Sequence, residues 1–131
     1  MGQKVIIHTS KDDMTREFDL QSIYDSQLLE LAEVRNPSVD KHSLTSIASQ
    51  LKSGVKPVYV EYPWRNITIE MLPENEFMEL KTNRNRQLIT TEEQLSLYGT
   101  SISMAGMSVG SSLLYGLIGT GIGNRLIILI A

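Results

Sequence analysis

A chain of 131 residues is within the size range of one domain, and 41% hydrophobic with 21% charged residues is a globular rather than a disordered balance. A formal net charge of -3 gives no electrostatic reason to expect nucleic acid as a partner. The absence of cysteine excludes a disulfide framework, a thiolate zinc site and a cysteine nucleophile, and is compatible with a cytoplasmic location.

The start, Met1 to His8, is too short and too soon polar for a signal peptide. Residues 4–8 read as a short strand and Lys11-Asp12-Asp13 as a polar turn. Apolar residues at Leu20, Ile23, Tyr24, Leu28, Leu31 and Ala32 follow helical spacing, and Asn36-Pro37-Ser38 stops the helix because proline cannot continue its ladder. A second helix is expected from about Asp40 to Lys52, with Leu44, Ile47, Ala48 and Leu51 on one face and Gly54 as its stop. Residues 57–72 read as strand, turn, strand, broken by Pro63-Trp64-Arg65-Asn66, and Pro73-Glu74-Asn75-Glu76 opens a short helical turn. His8 and His42 have no partner at ligand spacing and read as surface residues, while Tyr62 and Trp64 read as hydrophobic anchors.

After Tyr98 the only formally charged residue is Arg125, so the last third differs from the rest. Thr90 followed by Glu93 matches a capping box, Leu95 and Leu97 continue that helix, and Gly99 ends it. Ser101 to Ala105 alternates like a strand and runs into Gly106-Met107-Ser108-Val109-Gly110. A helix follows over Ser111 to Ile118, stopped by Gly119, Gly121 and Gly123, and Leu126 to Ile130 reads as a buried strand. Strand, glycine turn, helix, glycine turn and strand within about 30 residues is the size of one βαβ unit. Gly106 and Gly110 then stand where strand meets helix, where free N–H groups and the helix dipole favour a phosphate. The spacing departs from G-x-G-x-x-G, and close strand–helix packing explains such a glycine pair equally well. A rival reading places residues 100–124 in a bilayer as a C-terminal anchor, since 99–124 carry no charge. The six glycines between 106 and 123 punctuate turns better than they sustain such a helix.

The ordered series Arg84-Asn85-Arg86-Gln87, Glu93-Gln94-Leu95, Gly99, Gly106-x-x-x-Gly110-Ser111 and Gly121-Ile122-Gly123 resembles the start of the ThiF/MoeB/HesA superfamily of ubiquitin-activating-enzyme-like adenylyltransferases. Tyr62-Pro63-Trp64-Arg65, Leu72-Pro73-Glu74-x-Glu76-Phe77 and Leu80 to Arg86 look like a subgroup of large bacterial proteins. In that subgroup a ThiF-like domain precedes a nitroreductase-like module, and the resemblance covers most of residues 20–130.

The resemblance implies an α/β fold, with an N-terminal α+β segment over 1–82 and the first βαβ unit of a Rossmann-like nucleotide-binding domain over 83–131. It further implies ATP and Mg2+ as cofactors and ATP-dependent adenylation of a carboxylate, such as a protein or peptide C-terminus, by a cytoplasmic homodimer with no nucleic-acid or membrane partner. Gly106, Ser108 and Gly110 would line the nucleotide phosphates, and Arg86 would act catalytically on the triphosphate of the other subunit. The family's ribose-holding acidic residue and its later catalytic residues have no counterpart before Ala131. The expectation is therefore an N-terminal fragment, inactive alone; a non-catalytic interaction module that keeps the dimer-forming surface is the further alternative.

Overall fold

The computed structural model describes residues 4–14 and 18–129. The architecture is mixed α/β, and the chain divides into two compact units, Met1–Phe77 and Met78–Ala131. The division falls within α3 (Glu74–Thr82), ahead of the 82/83 boundary suggested by the sequence.

The first unit carries β1 (Ile6–His8), a 3-10 turn at Lys11–Asp13, β2 (Asp19–Ser22), α1 (Tyr24–Arg35), α2 (Lys41–Gly54), β3 (Val58–Tyr62) and β4 (Ile67–Met71). The strands form one mixed sheet in the order β1-β3-β4-β2, antiparallel at both junctions of β3 and parallel between β2 and β4. The helix expected to begin near Leu20 begins at Tyr24 instead. Leu20 faces Thr68 in the β2–β4 ladder and the Ile23 N–H donates to the Glu70 carbonyl, so strand pairing takes the backbone of 19–23 first. Leu20, Ile23 and Tyr24 match a helical period by coincidence, because apolar residues three or four apart also occur where a strand leads into a helix.

From Tyr24 on, the expected stripe holds. Tyr24, Leu28, Leu31 and Ala32 are buried on α1, and Leu44 is buried on α2. Asp40 caps α2 by accepting the Ser43 N–H at 3.0 Å, and the Ser43 hydroxyl donates to its second oxygen at 2.8 Å. Val55, Val60 and Leu72 complete the core, with the Tyr24 hydroxyl donating to the Val55 carbonyl and the Leu72 N–H donating to Gln27 at 2.9 Å.

One face of the sheet is polar across its three neighbouring strands. His8 stands opposite Tyr59, Tyr59 opposite Glu70, and Glu61 opposite Thr68, so all five share that face. His8 Nε2 meets Glu61 Oε2 at 2.8 Å, and the Tyr59 hydroxyl donates to Glu70 at 3.0 Å. The reading of His8 as a surface residue is corrected here: its side chain is 14% exposed and its partner Glu61 only 2%. A carboxylate that deep needs a donor, and an imidazole two strand positions away supplies one. His42 is exposed, as expected. Trp64 is also exposed, meeting Tyr62 edge-on with ring centroids 5.5 Å apart, and so is no core anchor.

The second unit carries the end of α3, a 3-10 turn at Asn83–Gln87, α4 (Thr91–Tyr98), β5 (Ser101–Ala105), α5 (Gly110–Gly119) and β6 (Arg125–Leu129). The capping box at the start of α4 is formed: the Thr90 hydroxyl accepts the Glu93 N–H at 3.2 Å, and Glu93 accepts the Thr90 N–H at 2.8 Å. β5 and β6 pair in parallel from Ser101 opposite Arg125 to Ala105 opposite Leu129, with α5 between them in sequence. Residues 99–124 thus fold as strand, turn, short helix and turn. No helix among the described residues is long and apolar enough to cross a membrane. Ten-residue α5 spans about 15 Å, half of a hydrocarbon core of about 30 Å.

Expected as a buried strand, β6 is exposed along its whole described length; Ile130 lies outside the described residues. The cause is coverage: β6 pairs with β5 alone in a two-stranded sheet, whereas a parallel strand is buried when neighbours and helices cover its edge and both faces.

Candidate functional site

β5 ends at Ala105, and the next residue turns the chain. Gly106 has φ +80, a conformation that costs a residue with a Cβ roughly 1–2 kcal/mol. Its N–H donates to the Leu129 carbonyl at 3.0 Å, extending the parallel ladder by one bond. Gly106 therefore shapes the turn, and its N–H is already used. A Cβ there would meet no atom within 4 Å, so the space beside it is open.

Gly110 is the first residue of α5 and plays a different part. A Cβ on it would lie 2.7 Å from Met104 Sδ, so the missing side chain lets the helix start close over β5. Of the two readings of the glycine pair, close strand–helix packing is seen at Gly110, while Gly106 serves the turn. Ser108 lies in the turn between them, and its carbonyl accepts the Ser111 hydroxyl at 3.2 Å. The N-cap of α5 is Val109, which offers no side-chain acceptor, and the first turn holds no acidic residue. The early N–H groups of the helix lack intrahelical acceptors and point out at the positive end of its dipole. Gly106, Ser108 and Gly110 thus lie in one turn between β5 and the first residue of α5.

Arg86 is placed elsewhere. It lies on the 3-10 turn Asn83–Gln87, and its Nη2 meets Glu79 of α3 at 3.1 Å. No hydrogen bond or ion pair joins it to residues 106–110 among the described residues. The arginine is 49% exposed and Glu79 22%, so the pair is partly solvated and weak. No group of three or more His, Cys, Asp or Glu able to hold a metal exists among the described residues.

One constellation is not legible from spacing. The Asn85 amide donates one hydrogen to Gln94 Oε1 at 2.7 Å and the other to the Thr120 carbonyl at 2.9 Å. Gln94 in turn donates to the Gly121 carbonyl at 3.0 Å. Gly121 has φ +76 and is buried, and a Cβ on it would fall 2.5 Å from Thr82 Cγ2 and 3.0 Å from Gln94 Nε2. Three segments (the Arg86 turn, α4 and the α5–β6 loop) are therefore tied at one point. The same loop is fixed to the end of α4 by the Gly123 N–H to Leu97 and the Asn124 N–H to Thr100, at 3.0 and 3.2 Å. Amides at 85 and 94 and a glycine at 121 are individually ordinary; only the fold brings them together.

Comparison with known proteins adds little. No protein-family model matches the chain, and no solved structure matches it. A stretch of 60 residues, 46% of this chain, is 37% identical to an uncharacterized protein of Mycobacterium tuberculosis (strain CDC 1551 / Oshkosh). The match spans 8% of that protein's length.

Proposed function

We propose that residues 78–131 belong to a nucleotide-binding unit of the ThiF/MoeB/HesA type, acting in a cytoplasmic protein that activates a carboxylate with ATP. The carrying observation is the β5–α5 junction, where a positive-φ glycine turns a strand into a helix whose N-terminus has no side-chain cap. Backbone N–H groups in that arrangement suit phosphate oxygens. The parallel pairing of β6 with β5, on the far side of α5 in sequence, is the local topology that a nucleotide-binding βαβ unit requires.

In the proposed reaction a carboxylate oxygen of a protein or peptide attacks the α-phosphorus of ATP. The bond from that phosphorus to the bridging oxygen breaks, and pyrophosphate leaves with the electron pair. The acyl-adenylate then carries AMP as a good leaving group. Phosphate negative charge is met by the backbone of 107–112 and, from a second copy, by Arg86. Magnesium ligands would come from residues other than those described.

The test is ATP binding by the complete product of the reading frame, followed by titration calorimetry in the presence of Mg2+. Wild type is expected to bind, and Gly106→Val to weaken binding about tenfold or more by forcing a β-branched residue into the left-handed region. Wild type that takes up no heat from ATP sinks the proposal. A different observation favours the non-catalytic interaction module: Leu113, Tyr115 and Leu126 to Leu129 are exposed. Loss of the nucleotide reading would leave that one standing.

A further inference from the structure

We propose that the turn between β3 and β4 is a docking site for a short acidic peptide segment of a partner protein, held by Trp64 and Arg65. The whole surface lies within the first unit, so the proposal stands apart from the nucleotide reading. The Arg65 N–H donates to the Tyr62 carbonyl at 3.0 Å and the Asn66 N–H to the Pro63 carbonyl at 3.4 Å, giving two overlapping turns. Pro63 takes the second position of the first, where its ring presets φ at about −65°. Asn66 then adopts φ +57, a left-handed conformation that no other non-glycine residue takes among the described ones. Its carbonyl is fixed by the Asp19 N–H of β2 at 3.2 Å. The backbone of 63–66 is therefore set before any partner arrives.

A lone exposed tryptophan is ordinary. Here it stands next to a free cation on a fixed turn. Trp64 is 40% exposed and meets Tyr62 edge-on, with 83° between the planes, a contact that restrains the indole and leaves ring surface uncovered. Arg65 is exposed and makes no ion pair or side-chain hydrogen bond among the described residues. Asp19 is tied to this turn by its N–H, yet its carboxylate accepts from Gln21 at 3.4 Å instead. A guanidinium fits a carboxylate as a fork, and an indole beside it takes an aliphatic side chain. Tryptophan and arginine are also the residue types that carry most energy where proteins bind one another. The chain's net charge of -3 disfavours nucleic acid or an anionic membrane at a single cation. It repels acidic peptides in general as well, so binding must depend on Arg65.

The test is to pan the full chain against a random-peptide display library, then label the enriched peptides and titrate them by fluorescence anisotropy. The expected motif is aspartate or glutamate beside an aliphatic residue. Arg65→Gln and Trp64→Ala should each weaken such a peptide about tenfold or more, as should glutamine in place of its glutamate. Pro63→Ala keeps both contact side chains but loosens the turn, and should weaken binding about two- to threefold. Arg65→Gln changes an exposed side chain without partners, so it keeps the fold and decides the matter should another variant lose it. A library that yields no acidic motif overturns the proposal. So does a result in which every enriched peptide binds Arg65→Gln and Trp64→Ala as tightly as wild type. Tighter binding of oligothymidine or phosphatidylserine vesicles, lost in the same variants, also overturns it, because the ligand is then a phosphate and not a peptide.

Discussion

The two units contain comparable apolar material and use it in opposite ways. In the first, α1 and α2 contribute Tyr24, Leu28, Leu31, Ala32 and Leu44, and the sheet and its flanks contribute Val60, Val55 and Leu72, all buried. In the second, only Leu114 and Gly121 are buried among the described residues, although its last strand reads Leu-Ile-Ile-Leu over 126–129. Hydrophobic sequence is thus not the same as burial. Four strands and two helices enclose a core, whereas a sheet of only two parallel strands leaves both edges unpaired and β6 exposed along its described length. Conformational precision shows the reverse pattern. The second unit holds all three positive-φ glycines described, Gly106, Gly121 and Gly123, and its polar clasp closes on one of them. One unit is held by packing, the other by turns and hydrogen bonds.

The sharpest way to break that contrast is to cut into the packed core. Leu31 is fully buried, and Leu31→Ala should cost about 3 kcal/mol through lost transfer energy and the cavity left behind. Trp64, the only tryptophan, lies in the first unit, so its fluorescence in a urea titration reports that unit's unfolding. Leu113→Ala, at a residue 61% exposed on α5 in the second unit, should change stability by less than about 0.5 kcal/mol, read by amide hydrogen exchange of β5 and β6. Equal losses at the two sites would mean that the second unit has a core of its own.

His8 tests whether the first unit also depends on a polar contact. His8→Ala leaves the Glu61 carboxylate buried without its partner, and should cost about 2 kcal/mol. Replacing both, His8→Ala with Glu61→Met, should be milder than His8→Ala alone, because no buried charge is then stranded. A double variant that is worse than the single one would show that the pair stabilises the sheet beyond mutual satisfaction.

Within the second unit, the glycines rank themselves. Gly121→Ala must both adopt a positive φ and push against Thr82, and should cost about 2 kcal/mol or more. Gly106→Ala meets open space and should cost only about 1 kcal/mol, the conformational part alone. Amide hydrogen exchange of the 120–124 segment would read the difference, with the Gly121 variant exchanging faster.

Much of this arrangement is legible in the sequence where local rules decide. The Thr90–Glu93 capping box, the second helix from about Asp40, the β3–β4 hairpin around Pro63 to Asn66 and the β5–turn–α5–β6 order all follow from cap chemistry, turn residues and periodicity. What escaped depends on pairing over long separations. β2 is hidden because Leu20 and Ile23 fit a helical stripe, and only the ladder to β4, 48 residues away at Leu20 and Thr68, makes it a strand. His8 looks solitary because Glu61 is 53 residues distant. The exposure of β6 is invisible in its own residues, since burial is a property of what stands beside a strand. At the glycine turn the spacing marked where strand meets helix, but it could not assign Gly106 to the turn and Gly110 to the contact with Met104.

The smallest effect separates charge from hydrogen bonding at a helix start in the packed unit. The Asp40 carboxylate is held below its ordinary pKa, first by the Ser43 N–H and then by the Ser43 hydroxyl. A carboxyl with a depressed folded pKa contributes stability above its unfolded value, and that contribution disappears as pH falls through the folded value. Asp40→Asn keeps a capping acceptor but does not titrate and lacks the negative charge favoured by the helix dipole. Above pH about 5, wild type should therefore be slightly more stable than Asp40→Asn in urea titrations followed by Trp64 fluorescence. The gap should close as pH falls below about 4, where the unfolded chain begins to take up the proton first. A gap that stays constant down to pH about 2 would show that Asp40 acts purely as an acceptor, leaving the packed unit indifferent to charge at that helix end.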